Sequence, residues 1–421
     1  MTWLTAPLRK IAPPVASQAS FATNDKVWQL SLDQIESETG EIIGKRYGAA
    51  SDAGTSTYNF DSGNVLYSKL RPYLNKVVIP DGVGIATTEL IPLRPDPKTL
   101  NLRFLAYYLR SPGFVSQASH HVAGAKMPRV VMDWFWAHEA PIPSLKEQSR
   151  IVELLDEADR LRRIRREADA KAARILPSLF LKMFGDPATN PMGWPIKPLG
   201  DLADQRPEYG ANASACPRKD DMPRYVRITD IRENGTLSDK ERVSLDSTDW
   251  RRYLLHDGDV LFARSGNTVG KTYIYRPDDG LCAFAGYLIR FQFRSGAIDP
   301  WFVFGVTQTA YYRGWVESHK RVAGQPNING QEYSALLVPE PPQELQQKFG
   351  SLAREVERVL VEADIAAQRL EVTFSNFLSL AFSGRLTAQW REDHMQELIA
   401  EMTQQASAFN LPMPKEFEVL S

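Results

Sequence analysis

The sequence predicts an α+β protein: two homologous α+β domains separated by two long helices that form an antiparallel coiled coil, with pseudo-two-fold symmetry. Two observations predict this. The first is a long-period repeat. Gly63-Asn64-Val65-Leu66-Tyr67-Ser68-Lys69 returns 195 residues later as Gly258-Asp259-Val260-Leu261-Phe262-Ala263-Arg264. At the same shift Lys76 meets Lys271 and Ile79 meets Ile274. Val122-Ala123-Gly124 returns after 200 residues as Val322-Ala323-Gly324, and Pro141-Ile142-Pro143 returns after 198 as Pro339-Glu340-Pro341. The drift is what loop insertions produce, and two copies are too few for a solenoid. The second observation is that each copy runs into a long helical pattern directly after its proline pair.

Composition sets the class. A chain of 421 residues has room for two to four domains. A formal charge of −1 argues against a sequence-blind nucleic-acid coat, while leaving local basic faces possible. Two cysteines, Cys216 and Cys282, are too few for a disulfide framework or a cysteine-built metal site. Residues 1–14 show no apolar core of a signal peptide, and no apolar run reaches the ~18 residues of a spanning helix. The expectation is a soluble, cytoplasmic protein.

In chain order, residues 1–143 form the first domain. Short apolar runs (Val65-Leu66-Tyr67, Val77-Val78-Ile79, Leu90 to Leu93) are separated by turn signals such as Pro80-Asp81-Gly82, so they read as strands. Leu102 to Leu109 carries Phe104, Leu105 and Tyr108 at helical spacing. Residues 144–186 hold the first spacer helix, from about Leu145 to Leu181, or about 55 Å at ~1.5 Å per residue. Residues 187–341 form the second domain, with strands around Tyr225 to Ile228, Val260 to Phe262, Thr272 to Tyr275 and Tyr287 to Phe291, and a helix near Trp301 to Thr309. Residues 342–385 are the second spacer, and 386–421 a tail of unassigned role.

Alternating steps of three and four place Ile151, Leu154, Ala158, Leu161, Arg165, Ala168, Ala172 and Ile175 on one seam. The seam at the repeat shift is Phe349, Leu352, Val356, Val359, Ala363, Ala366, Leu370 and Thr373. Matched seams favour pairing of the two helices over two unrelated amphipathic helices, each lying on its own domain. Paired antiparallel, they act as a ruler about one and a half DNA turns long, at ~34–36 Å per turn.

These residues resemble a known family, the DNA-specificity subunit of Type I restriction-modification systems. The matching pieces are Leu261-Phe262-Ala263-Arg264-Ser265-Gly266, the P-x-P endings followed by Gln148 and Gln346, Phe382-Ser383-Gly384-Arg385-Leu386-Thr387 closing the second helix, and Phe184-Gly185-Asp186 after the first. The resemblance runs from about Trp28 to Trp390. It implies that each half is a target-recognition domain and that the helices are spacers. It implies a non-enzymatic subunit that reads a bipartite, asymmetric double-stranded DNA target in a system that methylates DNA and restricts foreign DNA. It also implies two adenine-methyltransferase subunits as partners and, in the full complex, two restriction/translocase subunits. No cofactor is expected on this chain; S-adenosylmethionine, ATP and Mg belong to the partners. The tail beyond Arg391 departs from the pattern. Rival readings are a fused Type II-like recognition and modification enzyme, and a protein-binding scaffold.

Candidate DNA contacts follow from residue chemistry. Arginine bridges guanine O6 and N7, asparagine bridges adenine N6 and N7, and lysine neutralises phosphate. The strand-connecting loops offer Lys69, Arg71 and Lys76 in the first copy and Arg264, Asn267 and Lys271 in the second. The stretches around Val-Ala-Gly offer Lys126 and Arg129, then Arg321, Asn327 and Asn329; Arg227 lies in the strand read at Tyr225-Val226-Arg227-Ile228 of the second copy. The competing reading of each is an ordinary surface or loop-closing residue. Ser265 to Thr272 approaches a phosphate-binding loop, but its opening glycine is absent and a β-like run follows Lys271 where the motif needs a helix. His120-His121 lacks a ligand partner at metal spacing, so no metal site is expected. The arginine run from Arg160 to Arg166 reads as a solvated face, or as a contact to phosphate or a partner. Asn190 to Trp194 only superficially resembles a methyltransferase loop.

Overall fold

The computed structural model describes residues 3–54, 56–238, 240–294, 296–320 and 326–412. The chain divides into two compact units, residues 1–164 with 368–421, and residues 165–367. Each therefore owns one α+β module and one part of each long helix.

In the first unit, Val65–Ser68 is the middle of a three-stranded antiparallel sheet between Val77–Val78 and Leu90–Leu93. All four of its residues are buried, which is why the sequence shows an apolar run there and no alternation. A second, mixed sheet has the order Tyr47–Ala49, Lys26–Leu30, Gly84–Thr87, Thr57–Phe60, with the middle pair parallel. Leu4–Pro7 pairs antiparallel with Glu139–Ile142 and closes the module. The helix Leu102–Arg110 starts where Asn101 accepts hydrogen bonds from the amides of Arg103 and Phe104.

The second unit repeats this plan. Val260–Ala263, again wholly buried, lies between Thr272–Ile274 and Leu288–Phe291, with Glu208–Tyr209 added at the edge. Its second sheet runs Ala215–Pro217, Val243–Leu245, Arg224–Val226, Cys282–Phe284, and again it has one parallel pair, here Arg224–Val226 with Cys282–Phe284. Ile196–Pro198 pairs antiparallel with Leu337–Pro339. Asp299 caps the helix Pro300–Thr307 through the amides of Trp301 and Phe302.

The glutamine after each P-x-P ties module to helix. Gln148 Nε2 donates to the carbonyl of Pro143 at 2.8 Å, and its Oε1 accepts from the amide of Asn101 at 2.6 Å. Gln346 does the same with Pro341 at 2.7 Å and Asp299 at 2.9 Å. Both glutamines are buried, so the motif is a satisfied polar joint between the spacer start, the last strand and the cap of the module's own helix.

The first spacer is two helices, Leu145–Ala172 and Ile175–Phe184, where one was expected. The break at residues 173–174 precedes Pro177, which has no amide to donate and fits only in a first turn. The second spacer, Gln343–Phe382, is unbroken. Within the first unit the helices run antiparallel: Arg162 meets Glu371 and Phe374, while Glu147 meets Thr387 and Arg391. Within the second, Phe180 and Phe184 pack on Phe349 at ring distances of 5.5 and 5.4 Å.

The expected seam is out of phase at every second position. Leu161 and Val359 are 46% and 54% exposed, and Leu352 and Ile175 also face outward. The buried positions include Ile151, Leu155, Ala158 and Arg162, with Phe349, Ala353, Leu360, Phe374 and Leu378. Steps of four then three replace three then four, by the same one-residue shift in both helices. Leu154-Leu155, Leu352-Ala353 and Val359-Leu360 are apolar doublets, so periodicity alone admits either phase. Arg162 correspondingly leaves the solvated face: it is buried, paired with Asp159 at 2.8 Å and Glu371 at 3.0 Å, with its guanidinium 4.0 Å from the Phe374 ring centroid.

The tail is not an appendage. The helix Met395–Ala408 buries Leu398, Met402 and Ala406, and the last two join the core of the first unit. Arg391 reaches the buried carboxylate of Glu147 at 2.7 Å, which also accepts from Thr387 Oγ1 and Trp3 Nε1. No helix among the described residues is long and apolar enough to cross a membrane.

Candidate nucleic-acid interface

In each module the loop leaving the central buried strand is zipped to the stretch after Val-Ala-Gly. In the first, Leu70 bridges to Arg129, the amide of Arg71 donates to the carbonyl of Pro128 at 2.7 Å, and that of Val130 donates to Lys69 at 2.9 Å. In the second, Ser265 bridges to Asn327, the amide of Gly266 donates to Pro326 at 3.0 Å, and that of Ile328 donates to Arg264 at 2.9 Å. Two segments 60 residues apart in sequence, each carrying cations or amides, thus form one face, and it happens twice.

The two lysines at the repeat shift are structural in both copies. Lys76 Nζ donates to the carbonyl of Leu32 at 2.6 Å, and Lys271 Nζ donates to that of Ile231 at 3.2 Å while pairing with Glu233 at 2.9 Å. Asn329 is likewise occupied: it caps the helix Gly330–Ser334 through the amides of Gln331 and Glu332. Arg227 is held by Asp230 and Glu241, and the hydrogen bond to Asp230 raises its pKa further. These four side chains serve loop closure, the competing reading given to each.

Lys126 is exposed at the tip of a hairpin, Val122–Ala123 with Arg129–Val130, whose turn uses Gly124 at φ 93°. Arg129 is exposed but holds both carboxylate oxygens of Glu89, at 3.0 and 3.2 Å. Lys69 is half-buried, with no side-chain partner among the described residues. Arg71 sits at φ 50°, a left-handed conformation that side chains seldom adopt, and its Nε is buried without a partner among the described residues. Asn267 is exposed on the turn Gly266–Thr268. The strand Thr272–Ile274 follows that turn, so no helix N-terminus is available to cradle a phosphate. Arg321 lies outside the described residues.

Arg264 Nε donates to Asn327 Oδ1 at 3.3 Å, and its guanidinium carbon lies 4.7 Å from the ring centroid of Tyr209. Tyr209 and Tyr287, 43% and 61% exposed, were not singled out from the sequence. Tyr209 comes to the face only through pairing of Glu208–Tyr209 with Ile289–Arg290, some eighty residues on, which no local signal announces. His121 stacks on Trp134 at 4.5 Å, and no metal-binding cluster of three or more acidic, histidine or cysteine residues occurs among the described residues.

The chain thus carries an α+β module twice, each copy with a two-loop polar face. Comparison with known proteins bears on which kind. The family model for the Type I restriction modification DNA specificity domain matches residues 52–172. The specificity subunit of the type I restriction enzyme StySPI from Salmonella potsdam is 26% identical over 337 residues, covering 72% of this chain and 69% of that one. Two solved structures share the fold. A chain from a structure of complex assembly in the type I R-M system has a TM-score of 0.52 at 18% identity and covers 91% of this chain and 98% of its own length. The S subunit from M. genitalium has a TM-score of 0.50 at 14% identity, covering 91% and 96%. The chain is thus similar over 72% of its length to a specificity subunit of a type I restriction enzyme and shares the fold of a solved S subunit.

Proposed function

We propose that the chain reads a bipartite, asymmetric double-stranded DNA target in the cytoplasm, one half-site per module, and confers that specificity on two adenine-methyltransferase subunits and two restriction/translocase subunits. The single observation that carries this reading is the duplicated two-loop face. Lys69 and Lys126 in the first module, and Arg264, Asn267 and Asn327 in the second, are the side chains put forward as DNA contacts, with Arg71 and Arg129 beside them. Lysines there neutralise phosphate, while arginine and asparagine meet base edges. S-adenosylmethionine, ATP and Mg belong to the partner subunits. The paired spacers set the length of the unread gap, so removing one heptad from each changes the gap and leaves both half-sequences as they were.

The test is a domain exchange. Residues 187–341 are replaced by the second domain of another specificity subunit, and methylated positions are sequenced in cells carrying the methylating partner. One half-motif changes and the other persists. Change in both halves would overturn the reading, as would methyl transfer by the purified chain alone with S-adenosylmethionine.

A further inference from the structure

We propose that Arg264 reads a guanine in the half-site of the second module, held in its reading pose by Tyr209 and Asn327. This rests on the DNA-reading function proposed above and names one base contact within it. The backbone of Arg264 is pinned on both sides: its amide donates to the carbonyl of Tyr287 at 3.0 Å, and its carbonyl accepts from Ile328 at 2.9 Å. The side chain is pinned as well. The Tyr209 ring covers the guanidinium, and the Tyr209 hydroxyl is itself fixed by accepting from the amide of Gly330 at 3.1 Å. Asn327 takes Nε and nothing more.

Of the five guanidinium donors, Nε is therefore the one spent on the protein; the two terminal nitrogens have no hydrogen-bond partner among the described residues. A planar fork with both ends open, stacked on an aromatic ring, matches a paired acceptor edge such as guanine O6 and N7. Because the fork is already immobilised, less side-chain entropy is lost when it binds. A phosphate also accepts such a fork bidentately, and sequence and salt dependence separate the two. Asn267, three residues along the same loop, and Tyr287, whose carbonyl accepts from the Arg264 amide, are both exposed, so the loop lies at the surface. The first module is wired otherwise. The position of Arg264 is held by Lys69, and the guanidinium of Arg129 is spent on Glu89.

The experiment uses the full chain assembled with its methylating partner and a randomised duplex library, with methylated products sequenced for the native chain and for Arg264→Ala, Arg264→Gln, Asn327→Ala and Tyr209→Phe. The native chain selects guanine at one position of the second half-motif. Arg264→Ala relaxes that position by about 5- to 150-fold, the range for one bidentate base contact, and leaves every other position unchanged. Asn327→Ala and Tyr209→Phe relax the same position by less, with melting temperatures held. If folded Arg264 variants keep the motif intact, the guanine assignment is overturned. It is also overturned if they weaken methylation of all sequences alike with a shallower salt dependence, which marks a phosphate contact. A native complex with no sequence preference at all would instead overturn the DNA-reading function.

Discussion

The two modules solve the same structural corner with the same polar wiring but cover it differently. In both, a buried glutamine joins the P-x-P ending to the cap of the module's own earlier helix, Leu102–Arg110 or Pro300–Thr307. In the first module this corner is roofed by the helix Met395–Ala408. Gln405 of that helix donates to the carbonyls of Thr99 and Pro143, the same two that Gln148 uses. In the second module the matching corner is an open cavity of about 460 Å³ lined by Ala297, Pro341, Gln343 and Gln346. Duplication preserved what satisfies buried backbone groups, since an orphaned buried group costs about 1–3 kcal/mol wherever it occurs. The roof is an addition to one copy alone. The tail is thus a cap for the first module, a role its sequence did not disclose.

The comparison can be broken most severely by deleting residues 395–412. That uncovers the pockets of Leu398, Met402, Ala406 and Phe409, where a large apolar side chain contributes about 1.5–3 kcal/mol on burial. Hydrogen exchange is expected to show the first module losing protection while the second keeps it; equal loss in both would mean that the tail does not act locally. A smaller break is Arg391→Ala, which strands the buried Glu147 carboxylate and is expected to cost about 3–5 kcal/mol in denaturant unfolding of the first module. A change below 1 kcal/mol would show that the Thr387 and Trp3 donors suffice.

The paired glutamines sharpen the contrast further. Gln346→Ala leaves the Pro341 carbonyl and the Asp299 amide unpaired, at about 1–3 kcal/mol for each buried group. Gln148→Ala costs less, because Gln405 still serves Thr99 and Pro143. The reverse order in melting experiments would remove the roofing role assigned to Gln405. The mildest test is Asn267→Ala, an exposed change expected to alter stability by less than about 0.5 kcal/mol. Its effect belongs to the second half-motif, and a change in the first half-motif would contradict independent reading.

Much of the architecture was legible. The buried strands Val65–Ser68 and Val260–Ala263 announced themselves as apolar runs at one shift, and the module helices appeared at their apolar spacing. The spacer helices were legible in extent but not in phase, because Leu154-Leu155 and Val359-Leu360 offer two equally apolar neighbours and only the opposing surface chooses. Pro177 marks the helix break locally. At the candidate site, residue chemistry picked out loops that the structure zips together, but could not distinguish a free cation from a spent one. Lys76 and Lys271 look like phosphate ligands until Leu32 and Ile231 are seen beneath them.

The sequence by itself determined the duplication, the α+β class and the two long helices, because these rest on local periodicity and on repetition, both written linearly along the chain. Tertiary structure alone decided which face of each helix is buried, which side chains are consumed in closing loops, and that Tyr209 and Asn327 converge on Arg264. Those outcomes depend on partners tens to hundreds of residues away, and the energy of a buried contact is settled by what it finally meets.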